Sequence, residues 1–268
     1  MKRFLRLGAL LFLSTAVLIS AIPNSAQGQE SGKHYVLISN ESVDDYDFEP
    51  TGSLELNRAQ NLKKEKYPID YVKPFDKEKI NGQPIRKSLY SVKPSYKIDN
   101  YKYFWVSNFK THTYDKIKAK LLYIGPHSYV WVYNNQISQS DAAKLGQEFD
   151  SSIYSKIHDN FGKESDVNYD GKINILVYDI QDGFDGDGGY VAGYFDPNDL
   201  FEGEYSNHSE IFYIDTNPLM GTGSTKDVTQ AYETLAHEFQ HMVNFNENVL
   251  VEHKAPMDTW LDEGLSMA

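Results

Sequence analysis

The chain of 268 residues contains no cysteine. Disulfides are therefore unavailable to it, and so is thiolate chemistry. Cationic side chains are also in deficit: 26 Lys and Arg stand against 38 Asp and Glu, for a net charge of −12. A chain with this balance lacks the clustered cations that bind phosphate backbones, which argues against nucleic acid as a partner. The acidity suits solubility and cation binding instead. After the first 28 residues no apolar run approaches the length of a membrane span. No internal repeat is evident.

The N-terminus carries the one strongly apolar stretch. Lys2, Arg3 and Arg6 precede an apolar run from Leu7 to Ile19, and Ala26-Gln27-Gly28 offers a small-x-small cleavage site. This pattern predicts a secretory signal over residues 1–28, hence a secreted, extracellular mature protein with no membrane attachment. Loss of the three leader cations takes the net charge from −12 to −15. A secreted chain without disulfides is held by its core, often with bound ions. The mature length of about 240 residues suits one large domain, or a small one beside a larger one. A monomer is expected.

Residues 29–98 are polar, with Pro50, Pro68, Pro74, Pro84 and Pro94 spread through them. They read as a prosegment or linker, with one strand candidate at residues 34–39. Regular patterning starts near Tyr101. Strands are predicted at 103–106, 118–123, 129–133, 173–178, 190–195 and 210–215. Tyr123, Tyr129, Trp131 and Tyr133 are expected to pack the sheet, where aromatic side chains fit a pleated surface. A helix is predicted over 139–160 on the spine Ala142, Leu145, Phe149, Ile153 and Ile157, with Gly162 just past its end. Strands before and helices after give an α+β domain over residues 99–268, with a mixed or antiparallel sheet.

The last predicted helix holds the chemistry. Ser224 and Asp227 offer cap-type side chains with nearly the capping-box spacing. Apolar positions then recur at Val228, Ala231, Tyr232, Leu235, Ala236, Phe239, Met242 and Val243. Within that helix lies His237-Glu238-Phe239-Gln240-His241. Residues i and i+4 share a helix face, so the two imidazoles converge on one point with Glu238 beside them. This is the spacing for two zinc ligands and a general base.

A third ligand is available in Trp260-Leu261-Asp262-Glu263-Gly264-Leu265-Ser266. Glu263 follows His241 by 22 residues, room for a turn and a second helix that returns the carboxylate. Two His and one Glu leave a coordination position open, the layout of a catalytic zinc site. The rival pattern, which continues with Gly and a third His, fails because position 244 is Asn and position 247 is Glu. Glu247 and His253 remain alternative third ligands. A separate loop, Asp166-Val167-Asn168-Tyr169-Asp170-Gly171, matches the first half of a calcium-binding loop, with ligands expected from Asp166, Asn168 and Asp170. Its twelfth position is Val177, so the bidentate carboxylate of an EF-hand is missing. Asp179, Asp182, Asp185 and Asp187 offer further oxygens nearby.

The segments 236–244 and 260–266 resemble the hyicolysin-type secreted neutral metallopeptidases, within the wider gluzincin group. A weaker likeness extends back to Ile137 and includes Gly193-Tyr194-Phe195 and residues 211–215. The resemblance implies a zincin-like lobe built on the H-E-x-x-H helix, and a zinc endopeptidase acting on protein or peptide substrates. His237, His241 and Glu263 would be the ligands and Glu238 the base. It also implies an edge strand that holds extended peptide, expected at 190–195 or 210–215. Asp262 departs from the Asn usual there. Such enzymes take an oxyanion donor from a second helical lobe, which is missing or truncated in a chain ending at Ala268. Tyr190, Tyr194, Tyr205 and His208 are the substitutes within the chain. The alternative function is an inactive exported protein that binds peptide or metal without cleaving.

Overall fold

A computed structural model describes residues 66–69, 71, 73, 75 and 95–267. The chain divides into units 1–58 and 59–268, and every described residue belongs to the second. The leader, the strand candidate at 34–39 and most of 29–98 lie outside the described residues. No helix among the described residues is long and apolar enough to cross a membrane.

The central layer is a six-stranded mixed sheet. Its strands are β2 (Tyr101–Asn108), β3 (Thr113–Ile124), β4 (Ser128–Tyr133), β5 (Ile173–Tyr178), β7 (Gly193–Phe195) and β8 (Ile211–Asp215). Their spatial order is β2-β3-β4-β5-β8-β7. β2, β3 and β4 form an antiparallel meander. β4, β5 and β8 are parallel, and β7 returns antiparallel to β8. The two remaining strands, β1 (Lys66–Pro68) and β6 (Gly188–Tyr190), pair in parallel as a small separate sheet.

Period-2 alternation sorts side chains onto the two faces of the large sheet. Val130, Val132, Ile173, Ile175, Val177, Phe212 and Ile214 enter one apolar cluster. Their neighbours Tyr129, Trp131, Leu176, Tyr178, Ile211 and Tyr213 enter another. Burial on both faces explains why β5 and β8 read as continuous apolar runs. The aromatic side chains pack the sheet as expected: Trp131 is fully buried, and its Nε1 donates to Asn174 Oδ1 at 2.9 Å.

The crossover between the parallel strands β4 and β5 is the predicted helix. It begins as α1 (Gln139–Glu148), capped by the Ser138 side chain, which accepts from Asp141 N. It loosens into a π-turn at Phe149–Ile153 and finishes as α2 (Tyr154–Phe161). The π-turn keeps Phe149 and Ile153 buried. Gly162 ends the helix at φ 106°, a conformation that a Cβ would strain.

One expectation is corrected here. β8 lies between β5 and β7, so both its edges are spent on sheet hydrogen bonds and it has none left for a peptide. β7 takes the edge of the large sheet, while β6 pairs with β1. The stretch 190–195 is thus divided between two strands, with a break at Val191 and Ala192.

Candidate metal centre

The helix α3 (Tyr232–Phe245) carries His237, Glu238 and His241. Its start differs from the capping expectation. Asp227 caps a short 3-10 turn, Val228–Ala231, by accepting from Thr229 N, and α3 continues from there. Ser224 makes no part of that cap. On its core side Phe239 packs edge-on to Phe149 at 4.9 Å and stacks on Tyr154 at 5.7 Å. That anchoring turns the 237/241 face away from the core, towards α4 (Thr259–Ser266). Past Phe245 the helix loosens into a second π-turn, Asn246–Val251.

β7 closes the other flank. A Cβ on Gly193 would stand 2.6 Å from Thr234 Cγ2, 2.8 Å from Tyr213 O and 3.2 Å from Glu238 Cγ. Glycine is therefore what lets this strand lie against the helix beside Glu238.

Among the described residues one group of three His, Asp or Glu side chains brings ligand-type atoms within 4.8 Å of one another: His237, His241 and Glu263. The two Nε2 atoms are 3.0 Å apart. Glu263 Oε2 is 3.2 Å from His237 Nε2, and its Oε1 is 3.6 Å from His241 Nε2. Both Glu263 oxygens lack a hydrogen bond among the described residues. Zinc bonds of about 2.0–2.1 Å at tetrahedral angles put neighbouring ligand atoms roughly 3.3 Å apart. The observed separations bracket that value, so these donors fit a divalent ion of zinc's size and preference.

Asp262 holds the cluster from behind. Its Oδ2 lies 3.0 Å from His241 Nδ1, an ion-pair contact without hydrogen-bond alignment. Its Oδ1 accepts from Asn244 Nδ2. Asn244 in turn accepts from Asn248 Nδ2 at 2.6 Å. A carboxylate on the far nitrogen fixes an imidazole's orientation and strengthens it as a ligand. Asn244, whose presence defeats the rival motif, thus supports the position of Asp262.

The electrostatics follow from burial and crowding. Burial pushes the Glu238 carboxyl up to about 7, against the pull of His241 and His237. Its Oε2 has no hydrogen-bond partner among the described residues. Burial works against a charged His241, but Asp262, Glu238 and Glu263 outweigh it and the imidazole is pushed up to about 9. His237 is raised too, again against burial, by Glu263 and Glu238. All three shifts run upward, holding the carboxyl toward its neutral form beside imidazoles held toward their charged form.

The other candidates sit elsewhere. Glu247 Oε1 accepts from Lys163 N at 2.8 Å, and His253 is exposed, so neither joins the group. Of the four substitutes for an oxyanion donor, Tyr190 lines the cavity that reaches His237 and Glu238. Tyr194 is fully buried and its hydroxyl serves Ser107 N and Tyr178. Tyr205 stacks on Tyr114 at 4.7 Å, and His208 is exposed. In the Asp166 loop the side-chain oxygens bind the loop's own backbone: Asp166 Oδ1 accepts from Gly171 N, Asn168 Oδ1 from Asp170 N, and Asp170 Oδ1 from Lys172 N.

No family model matches the chain. The chain is similar to the neutral metalloprotease ShpI of Staphylococcus hyicus, at 38% identity over 273 residues. The match covers 96% of this chain and 61% of that protein, so the chain spans about three fifths of the length of the curated relative it matches.

Proposed function

We propose that the chain is a secreted zinc endopeptidase of the gluzincin type. Its division would be a leader over 1–28, a prosegment over 29–98 and a zincin-like catalytic domain over 99–268. It would work as a monomer on protein or peptide substrates. The observation that carries this is the convergence of His237, His241 and Glu263 on one point, with the buried Glu238 beside it. Likeness to a neutral metalloprotease agrees with it.

In this proposal His237, His241 and Glu263 hold the ion, and Asp262 keeps His241 in its ligating orientation. Zinc bound there supplies Lewis acidity toward a water and toward the scissile carbonyl. Glu238 takes the proton from the attacking water and delivers it to the leaving nitrogen. Its burial, which lifts the carboxyl to about 7, suits a group that must both accept and return a proton near neutral pH. Of the four candidate oxyanion donors, Tyr190 takes that role in this proposal, because it lines the cavity that also reaches His237 and Glu238. Gly193 lets β7 lie against α3 beside Glu238, where a Cβ would stand 3.2 Å from Glu238 Cγ.

The test is casein hydrolysis by the purified chain, with and without a zinc chelator. Chelator-sensitive hydrolysis is expected. A folded, zinc-loaded chain that cleaves nothing would overturn the peptidase assignment and leave a non-catalytic metal- or peptide-binding protein.

A further inference from the structure

Residues 66–69, 71, 73 and 75 run along the cleft. β1 pairs with β6, and Ile69 N continues the ladder by donating to Tyr190 O at 2.7 Å. Tyr71 lines two cavities, one of about 310 Å³ reaching His237 and Glu238 and one of about 350 Å³ reaching His241 and Asp262. Phe75 ends the run between Phe201 and Phe245, with ring centroids 5.1 and 4.9 Å away. Backbone pairing combined with alternate side chains in pockets is how an extended peptide is held.

Among the described residues of this run, Lys73 is the charged side chain withdrawn from water, at 10% exposure. Its Nζ donates to Asp196 Oδ2 at 2.5 Å, to Tyr114 OH at 3.0 Å and to Ser107 Oγ. It also stands 4.3 Å from the centre of the Tyr114 ring. The socket is built without Lys73. Asp196 is fixed because its Oδ1 accepts from Asn198 N at 3.0 Å, Ser107 lies in β2, and Tyr114 is stacked on Tyr205. Without a cation there, Asp196 would be an uncompensated buried carboxylate between Phe195 and Pro197, which with Lys73 line the cavity that holds His241.

We propose that Asp196, Tyr114 and Ser107 form a cation-binding subsite of the peptide groove, which selects a Lys or Arg side chain of the substrate and which Lys73 fills from within the chain. The proposal rests on the peptidase assignment, because it takes the cavity beside His241 as the substrate groove. Residues 66–69, 71, 73 and 75 then occupy the groove as an internal stand-in for substrate.

The experiment uses the full chain with Lys73→Ala to empty the socket and Glu238→Gln to prevent cleavage. Two labelled peptides, identical except for Lys or norleucine at one position, are titrated by fluorescence anisotropy. The chain's own segment competes equally with both, so the ratio of affinities is the readout. A charge-assisted contact of this kind predicts about tenfold tighter binding of the Lys peptide. The preference is expected to vanish with Asp196→Asn and to shrink with Tyr114→Phe, which keeps the ring and the fold. Equal affinities, no binding of either peptide, or a preference that survives Asp196→Asn would overturn the proposal. Casein hydrolysis by the unmodified chain is scored separately. Lys selectivity without hydrolysis would sink the peptidase assignment and keep the subsite, and hydrolysis without selectivity would do the reverse.

Discussion

Glu210 precedes β8, with a side chain only 1% exposed. Its Oε1 accepts from Ser165 Oγ at 2.6 Å and from Val167 N at 2.8 Å. Its Oε2 is buried with no hydrogen bond among the described residues. Burial is the main reason that the carboxyl rises from 4.5 to about 7. The native state therefore holds a proton that the unfolded chain has released between those two values. Stability from this group is complete below the unfolded value and is lost as pH rises through about 7. A shift of this size corresponds to about 3 kcal/mol. Glu210→Gln removes the titration while its amide oxygen keeps both hydrogen bonds, at a pH-independent cost of about 1–3 kcal/mol for an unpartnered buried N–H. The variant should be less stable than wild type at pH 4.5 and gain about 3 kcal/mol on it by pH 8.5. For a domain of this size that is a relative Tm shift of roughly 6–12 °C. Thermal unfolding by circular dichroism, with chelator at each pH, measures it. Parallel Tm profiles for the two proteins would refute the reasoning. Added calcium extends the test: an ion in the Asp166 loop would favour ionised Glu210 and shrink the pH effect, and an unchanged profile would argue against that site.

Three further outcomes are expected. Asp262→Ala should weaken zinc binding roughly 10–100-fold by freeing the His241 ring, as measured by competition with a chelating dye; unchanged affinity would remove Asp262 from the site. Gly193→Ala should destabilise by about 1–3 kcal/mol in denaturant titration, since its Cβ would meet Tyr213 O at 2.8 Å, and an unshifted midpoint would contradict the tight contact of β7 with α3. Phe239→Ala should cost about 3–5 kcal/mol, because the ring is fully buried against Phe149 and Tyr154, and a loss below 1 kcal/mol would mean that α3 is not anchored there.

What was legible in the sequence was what periodicity encodes. The short apolar runs of β4, β5 and β8 and the 3.6-residue spine of 139–160 each predicted their elements to within a few residues. The spacing of His237 and His241 is local, so a helix alone is enough to bring them together. The π-turns at Phe149–Ile153 and Asn246–Val251 were not legible, because they insert a residue without changing which side chains are apolar. β1 and β6 were hidden by composition, as β6 is largely glycine and β1 ends in Pro68. Asp262 was legible only as a departure from a pattern. Its contact with His241 depends on how α4 docks, a tertiary fact that no local spacing carries. The Lys73 socket joins residues 34, 41 and 123 positions apart in the chain, beyond the reach of any motif.

The measurement that tests the central claim most directly is metal content and peptide hydrolysis on the same preparations of the wild type, Glu238→Gln and Glu263→Ala chains. The account predicts about one zinc per wild-type chain with chelator-sensitive hydrolysis. It predicts retained zinc without hydrolysis in Glu238→Gln, and diminished zinc in Glu263→Ala. Hydrolysis near the wild-type level in Glu238→Gln, or full zinc in Glu263→Ala after dialysis, would contradict it.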